Sequence, residues 1–190
     1  MQLVFATNNR NKLKEVQTLV PKHIKLLSLA DILCNEDIPE TQPTIEGNAK
    51  QKAEYVKTNY GYDCFADDTG LEVDVLNGEP GVFSARYAGS KCNSEDNMKK
   101  LLFELGDNTN RDAQFKTVIA LHLNGKLSTF TGICKGEIAT EKHGVEGFGY
   151  DPIFKPNGYD KTFAEISLEE KNKIGHRGKA VVQLIKFLIT

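Results

Sequence analysis

A two-residue turn signal constrains the fold of this chain more than any other local feature. Asn124 and Gly125 separate two apolar, β-branched runs that extend over residues 115–121 and 127–133. Asparagine and glycine tolerate the positive φ angles of a type I′ turn, so the pattern predicts a β-hairpin. The sheet of this protein is therefore expected to contain a long antiparallel pair of strands.

The N-terminal residues predict a second kind of unit. The apolar run Leu3–Ala6 indicates a short buried strand, and a polar loop over residues 7–11 follows it. Apolar residues then recur at helical spacing, at Leu13, Val16, Leu19 and Val20. The order strand, loop, helix is typical of α/β proteins, and together with the hairpin it predicts a mixed sheet.

Local patterns predict the remaining elements. The predicted strands are residues 24–29, a short strand Cys64–Ala66 that ends at Asp67-Asp68-Thr69-Gly70, and an alternating strand over 71–75. The predicted helices are one before Tyr60-Gly61, one capped by Ser94 and a last one with apolar residues over 180–188. A capping box is predicted over residues 167–170. No repeat, low-complexity tract or linker divides the sequence. Residues 1–190 are therefore predicted to form a single domain.

Composition excludes several classes of partner. Of the 190 residues, 39% are hydrophobic and 26% charged, which is typical of a globular domain. The net charge of −2 leaves no global positive field for a nucleic-acid duplex or an anionic membrane. No apolar run is long enough to span a bilayer, and the four cysteines contain no Cys-x-x-Cys pair. We expect a cytoplasmic protein with reduced thiols.

The loop from Thr7 to Lys12 is the first candidate site. A loop between a strand and a helix directs backbone N–H groups and the positive end of the helix dipole to one point, which attracts phosphate. Its threonine and asparagines add hydrogen-bonding side chains, and Lys12 adds a cation. The loop lacks the glycine spacing of a Walker motif. Alternatively, its asparagines serve only to cap the helix.

The acidic pair Asp67-Asp68 is the second candidate. Adjacent carboxylates at the end of an apolar run repel each other, and a hard divalent cation such as Mg²⁺ relieves that repulsion. Glu40 could supply a third carboxylate. The alternative is an acidic turn that leads into the next strand.

Two further segments combine groups that suit a purine. Phe148 and Tyr150 are flanked by glycines, so a ring face and a close backbone are available to a planar base. Lys171, His176 and Arg177 are donors that suit the O6 or N7 atoms of a 6-oxopurine. The alternatives are a rigid turn with packed aromatic rings and a solvated basic helix start.

Seven motifs in this order resemble the inosine triphosphate pyrophosphatase family. They are Ala6-Thr7-Asn8-Asn9-Arg10-Asn11-Lys12, Glu40-Thr41, Gly47-Asn48-Ala49-Lys50-Gln51-Lys52-Ala53, Ala66-Asp67-Asp68-Thr69-Gly70-Leu71, Ser84-Ala85-Arg86-Tyr87-Ala88-Gly89, Gly147-Phe148-Gly149-Tyr150-Asp151-Pro152 and Gly175-His176-Arg177-Gly178. The resemblance covers nearly the whole chain. It implies a two-lobed α/β fold with a long mixed sheet flanked by helices, an active-site cleft between the lobes and a homodimer.

The resemblance also implies a reaction. ITP, dITP and XTP would be cleaved between the α and β phosphates with Mg²⁺, which keeps deaminated purines out of DNA and RNA. Asp68 would be the catalytic base and a metal ligand, with Glu40 as the second ligand and Asp67 close by. Residues expected to bind the triphosphate are Thr7, Asn8, Asn9, Arg10, Asn11, Lys12 and Lys52. Residues expected to contact the rest of the substrate are Thr69, Phe148, Gly149, Tyr150, Asp151, Lys171, His176 and Arg177.

Three positions depart from the commonest family pattern. Asn8 stands where glycine is usual, although asparagine also tolerates a left-handed backbone. Thr69 replaces a frequent serine and keeps the hydroxyl group. Gly175 replaces the serine before the His-Arg pair and so loses a possible cap or substrate contact.

Two other functions compete with this interpretation. Related pyrophosphatases act on pyrimidine triphosphates, but we would not expect the motifs at Phe148 and His176 together in them. A regulatory module could bind a triphosphate without hydrolysing it, but extra negative charge at Asp67-Asp68 would not favour binding alone. A nucleic-acid-binding role is the least compatible with the acidic balance.

Overall fold

The computed structural model describes residues 1–189. The strands are β1 (Gln2–Phe5), β2 (Lys25–Leu27), β3 (Cys64–Val73), β4 (Pro80–Gly81), β5 (Asp112–Leu123), β6 (Lys126–Ile138) and β7 (Phe154–Pro156). The α-helices are α1 (Arg10–Gln17), α2 (Ile45–Tyr60), α3 (Ser94–Leu105), α4 (Leu168–Ile174) and α5 (His176–Ile189). Short 3₁₀ helices occupy Ala30–Ile32, Asp74–Leu76, Ser84–Arg86, Asp151–Ile153 and Phe163–Glu165.

All seven strands belong to one mixed sheet. The strand order is β2-β1-β3-β5-β6-β7, and β4 pairs with β3. Strand β1 is parallel to both β2 and β3, whereas β4 runs antiparallel to β3 and β7 antiparallel to β6. The predicted α/β class with a mixed sheet is therefore confirmed.

The predicted hairpin is formed by β5 and β6. Asn124 and Gly125 connect the strands and have φ angles of 49° and 75°, as a type I′ turn requires. The two strands contain 12 and 13 residues, so the hairpin is longer than the apolar runs indicated.

Strand β3 differs from the prediction. It runs without interruption through the acidic pair to Val73, and residues 74–76 form a 3₁₀ helix instead of continuing a strand. The predicted end at Asp67-Asp68 is therefore wrong, and so is the alternative of an acidic turn. The strand can continue because buried cations compensate both carboxylates, as described below.

Several boundaries also differ by a few residues. Helix α1 ends at Gln17, and the carbonyl of Val16 accepts the N–H groups of Leu19 and Val20 in a turn. Asn93, rather than Ser94, caps α3, because its side chain accepts the backbone N–H of Asp96. The predicted cap of α4 is present, with the Ser167 hydroxyl accepting the N–H of Glu170.

The chain divides into two compact units that alternate along the sequence. Unit 1 contains Met1–Asp68, Thr117–Gly132 and the residues from Arg177 onward, and unit 2 contains Thr69–Lys116 and Ile133–His176. Strands β3, β5 and β6 contribute residues to both units. Helix α5 begins with His176 in unit 2 and continues in unit 1.

Each unit has its own apolar core. In unit 1, α1 and α5 pack on the sheet, and the core residues are Leu3, Phe5, Val16, Ile24, Phe65, Ile119, Leu121, Ala180, Val181 and Leu184. In unit 2, α3 packs on the sheet through Met98, Leu101 and Leu105. The apolar face predicted for α5 therefore belongs to the core of unit 1.

No helix among residues 1–189 is long and apolar enough to cross a bilayer. None of the four cysteines in this range forms a disulfide; Cys34, Cys64 and Cys134 are buried and Cys92 is exposed.

Candidate active site

A buried carboxylate, Asp67, connects three distant parts of unit 1. Its side chain is 1% exposed; one oxygen lies 3.0 Å from Nζ of Lys12 and the other 3.0 Å from Nε of Arg177. Strand β3 supplies the aspartate, the first turn of α1 the lysine and the first turn of α5 the arginine. Burial alone would raise the pKa of Asp67, but the neighbouring cations outweigh it and hold the pKa far below its ordinary value.

A second buried carboxylate, Glu15, completes this group. It forms an ion pair with the Arg177 guanidinium, and the side chains of both residues are at most 5% exposed. Burial opposes the charge of Arg177, but Asp67 and Glu15 outweigh that effect and raise its pKa. No sequence pattern described above singled out Glu15. Its position in the sequence could have indicated burial, because Glu15 lies three residues after Lys12 on the same face of α1 and next to the core residue Val16.

Asp68 belongs to a separate group of contacts. Lys52 Nζ lies 3.5 Å from an Asp68 oxygen and 2.5 Å from Glu40 Oε1, and Asn48 Nδ2 donates to the other Asp68 oxygen at 3.3 Å. Asn48 and Lys52 are four residues apart on α2 and so share a face. Successive side chains of a strand point to opposite faces, which explains how Asp67 and Asp68 can be neighbours with different partners.

The charges in this region affect one another. Burial raises the pKa of Asp68, although Lys52 and Lys12 act in the opposite direction. The pKa of Lys12 is lowered by burial and by the cations Lys52 and Arg177, which together outweigh Asp67. For Lys52, burial lowers the pKa, but the carboxylates of Asp68 and Glu40 outweigh it and raise the value.

The loop before α1 is capped by its own side chains. Asn9 Oδ1 accepts the backbone N–H groups of Asn11 and Lys12, at 3.0 and 3.1 Å, and the Asn9 N–H donates to Thr7 Oγ1. The expectation that these two N–H groups are free for phosphate is therefore wrong, and the capping alternative is correct for them. Asn8 does not have a positive φ angle, so this departure from glycine needs no left-handed backbone. The side chains of residues 8–11 are exposed.

In unit 2, Asp151 and Lys171 form a buried pair beside Phe148. Asp151 Oδ2 accepts Lys171 Nζ at 2.6 Å and the Phe148 N–H at 2.7 Å, and Lys171 Nζ lies 4.9 Å from the centre of the Phe148 ring. Gly147 has a φ of 77°, and a Cβ atom there would collide with the Asp151 carboxylate. Tyr150 is buried and donates to the Ser84 carbonyl at 2.9 Å. Of the two aromatic side chains, only Phe148 is partly exposed.

His176 is held by aromatic rings at the start of α5. Its ring is buried and stacks on Phe115, with centres 4.5 Å apart and planes 20° apart. Gly175 ends α4 by donating its N–H to the Lys171 carbonyl, and a Cβ at this position would lie 2.5 Å from that oxygen. In this chain the glycine therefore fits the junction between the two helices, whereas the serine common in the resembling family would require a shift of the backbone.

The predicted site residues are therefore distributed over both units. Those in unit 1 are Thr7, Asn8, Asn9, Arg10, Asn11, Lys12, Glu40, Lys52, Asp67, Asp68 and Arg177. Those in unit 2 are Thr69, Phe148, Gly149, Tyr150, Asp151, Lys171 and His176. The Arg177 guanidinium contacts the carboxylates of Asp67 and Glu15. The predicted contact between Arg177 and the purine base of a substrate stays a prediction. Asn48, to which we had assigned no role, contacts Asp68.

The two carboxylates expected to hold a metal fit Mg²⁺. Glu40 and Asp68 both contact the ammonium group of Lys52, so a positive charge already lies between them. Residues 1–189 contain no group of three or more His, Cys, Asp or Glu side chains placed to hold a metal. Mg²⁺ does not require one, because it is usually bound by one or two carboxylates together with water and substrate phosphates.

Replacing Arg177 by methionine should strongly destabilise the protein. The substitution leaves Asp67 with one cation fewer and Glu15 without its arginine, and breaking a buried ion pair from one side costs about 3–5 kcal/mol. We expect a loss of that size in the free energy of unfolding, measured by urea denaturation. Lys50→Met is the matched control, because the Lys50–Glu46 pair is exposed and its removal should cost no more than about 0.5 kcal/mol. Equal stability of the two variants would contradict the role given to Arg177.

Comparison with known proteins shows to which family this chain belongs. Residues 3–187 match the sequence profile of the Ham1 family. Proteins of Flavobacterium johnsoniae and Christiangramia forsetii, both named dITP/XTP pyrophosphatase, are 67% and 62% identical to this chain. The first alignment covers 99% of this chain and 98% of the relative, and the second covers 99% of each.

Solved structures agree with the sequence comparison. The Staphylococcus aureus Ham1 protein has a TM-score of 0.90 at 41% identity, over 99% of this chain and 98% of that one. A HAM1 protein from Coxiella burnetii has a TM-score of 0.92 at 39% identity, over 100% of this chain and 98% of that one. The chain belongs to the Ham1 family.

Proposed function

We propose that this protein hydrolyses deaminated purine nucleoside triphosphates, namely ITP, dITP and XTP, to the monophosphate and pyrophosphate with Mg²⁺. The observation that carries the proposal is the set of lysines and carboxylates around Asp67 and Asp68 in unit 1. The names of the Flavobacterium and Christiangramia relatives support the same substrate class. A cytoplasmic homodimer that acts on the nucleotide pool belongs to the same proposal.

The charge balance of this set favours a metal-dependent reaction. The two groups of ion-paired side chains in unit 1 together comprise the cations Lys12, Lys52 and Arg177 and the anions Glu15, Glu40, Asp67 and Asp68. Anions outnumber cations, so a triphosphate alone would meet net repulsion. A divalent cation reverses that sign, and Glu40 and Asp68 are the residues that would hold it. When bound, Mg²⁺ would neutralise phosphate charge and lower the barrier to attack by water.

Each side chain then has a separate task. The partly exposed Thr7 and the exposed loop residues 8–11 bind the triphosphate. Asp68 orients the attacking water and accepts its proton, which is the role of a general base. Lys12 and Lys52 stabilise the charge that develops on the departing pyrophosphate. Asp67 contacts no substrate in this scheme; together with Arg177 it fixes the position of Lys12.

Unit 2 supplies the groups for the base and sugar. His176 carries a ring N–H that can donate to O6 of hypoxanthine or xanthine, and its stacking on Phe115 fixes the plane of the ring. The amino group of adenine would leave such a donor unpaired, which costs roughly 1–3 kcal/mol. Lys171, Asp151 and Phe148, which contact one another in the same unit, add charge and a partly exposed ring. Thr69, Gly149 and Tyr150 complete the proposed substrate set.

Pyrophosphate release from different triphosphates tests the proposal directly. We expect release from ITP and XTP with Mg²⁺, release from ATP that is slower by up to about 100-fold, and none when the metal is chelated; GTP, which shares O6 with ITP, is measured beside them. Folded protein that is inactive on all four would favour a binding module. Activity on UTP or dTTP instead would favour the pyrimidine alternative.

Asp68→Asn should abolish turnover without unfolding the protein. The amide is isosteric and can still contact Asn48, but it cannot accept a proton from water. We expect kcat for ITP to fall by at least about 10²-fold and the thermal unfolding midpoint to stay near that of the wild type. Asp74→Asn removes an exposed carboxylate and should leave kcat unchanged. Full activity of a folded Asp68→Asn protein would remove Asp68 from the mechanism.

His176→Phe should reduce discrimination between ITP and ATP. Phenylalanine can keep the stacking on Phe115, but it lacks the ring N–H donor. The ratio of kcat/KM for ITP to that for ATP should fall by about tenfold. His143→Phe, the same change at an exposed histidine, should leave the ratio unaltered. An unchanged ratio in His176→Phe would exclude His176 from base recognition.

A further inference from the structure

The segment that carries Glu40 has no regular secondary structure of its own. Residues 37–42 belong to no helix or strand, and Glu40 and its neighbours are mostly exposed. Prolines stand at positions 39 and 43, so neither can donate a backbone hydrogen bond. Contacts with other parts of the chain must therefore fix the position of this carboxylate.

Helix α2 provides such contacts through one polar face. Gln51 Oε1 accepts the N–H of Thr41 at 2.9 Å, and Gln51 Nε2 donates to Thr41 Oγ1 at 2.8 Å. The next N–H, from Gln42, donates to Asn48 Oδ1 at 2.9 Å. Positions 48, 51 and 55 follow helical spacing, and the Tyr55 hydroxyl donates to Glu36 earlier in the same segment.

We propose that Gln51 is a positioning residue for Glu40, and through it for the divalent cation. Gln51 uses both ends of its amide on the residue next to Glu40. Lys52, the following helix residue, contacts the Glu40 carboxylate at 2.5 Å. The backbone is thus fixed at Thr41 while the carboxylate is directed towards Asp68. This inference rests on the proposed function, because it takes Glu40 and Asp68 as the metal ligands.

Loss of the Gln51 contacts should weaken metal binding rather than the chemical step. Without them the segment must become ordered when the cation binds, and this ordering subtracts from the affinity. Once the cation is bound, Glu40 occupies the same place as in the wild type. The apparent affinity for Mg²⁺ should therefore change while kcat at saturating Mg²⁺ does not, a separation that general destabilisation would not produce.

The test is titration calorimetry of Mg²⁺ into the complete protein without nucleotide, so that the heat reports binding of the metal to the protein alone. For Gln51→Leu we expect a dissociation constant at least about fivefold higher than that of the wild type, as the loss of two neutral hydrogen bonds implies. Its kcat for ITP at saturating Mg²⁺ should stay within about twofold. A dissociation constant equal to that of the wild type would overturn the inference.

Two further variants separate positioning from a general loosening of the segment. Tyr55→Phe removes one hydrogen bond between the same helix and segment, but the Tyr60 hydroxyl still donates to Glu36 at 2.5 Å, so the Mg²⁺ affinity should not change. Gln51→Glu keeps an acceptor for the Thr41 N–H, and the Thr41 hydroxyl can reverse its bond, so Mg²⁺ should bind at least as tightly as in the wild type. Equal weakening in Tyr55→Phe would overturn the assignment to Gln51.

The wild-type titration distinguishes this inference from the proposed function. Wild-type protein that binds Mg²⁺ and releases pyrophosphate, with Gln51→Leu behaving identically, would overturn the role of Gln51 and leave the function standing. Wild-type protein that neither binds Mg²⁺ nor requires it for turnover would overturn both.

Discussion

The buried ion pairs of Asp67 are the interaction on which the rest of unit 1 depends. A carboxylate taken out of water is tolerated only when cations and hydrogen-bond donors replace its hydration. Lys12 and Arg177 do so here, one on each oxygen, and Glu15 in turn holds Arg177. The starts of α1 and α5 and the middle of β3 are thereby held in register by charge as well as by the apolar core.

The same arrangement explains how two adjacent aspartates can have different tasks. Asp67 is surrounded by cations that keep it ionised, and it serves as a fixed anchor. Asp68, on the opposite face of the strand, is less well compensated and has a raised pKa. One strand can therefore hold two adjacent carboxylates in different surroundings, because successive side chains point to opposite faces.

Features that depend on neighbouring residues could be predicted from the sequence. The hairpin at Asn124-Gly125, the start of α5 and the first strand–loop–helix unit all follow from local turn chemistry and apolar spacing. Features that depend on distant partners could not. The uninterrupted course of β3 requires cations from residues 12, 52 and 177, and Glu15 looks like an ordinary surface acid until Arg177 is placed beside it. The resemblance grouped Glu40, Lys52 and Asp68, but it gave no reason for Gln51, whose role depends on the path of an irregular segment.

The long sequence separation between Arg177 and its two carboxylates has a consequence for synthesis in the cell. Glu15 and Asp67 are made before their shared cation, which follows them by 162 and 110 residues. Until Arg177 has been translated the nascent chain cannot bury either carboxylate in its final surroundings, so unit 1 cannot complete its folding earlier. A premature stop codon anywhere before position 177 would yield a polypeptide that lacks this cation. Such fragments are expected to be recognised as unfolded and degraded rather than to accumulate as partly active enzyme.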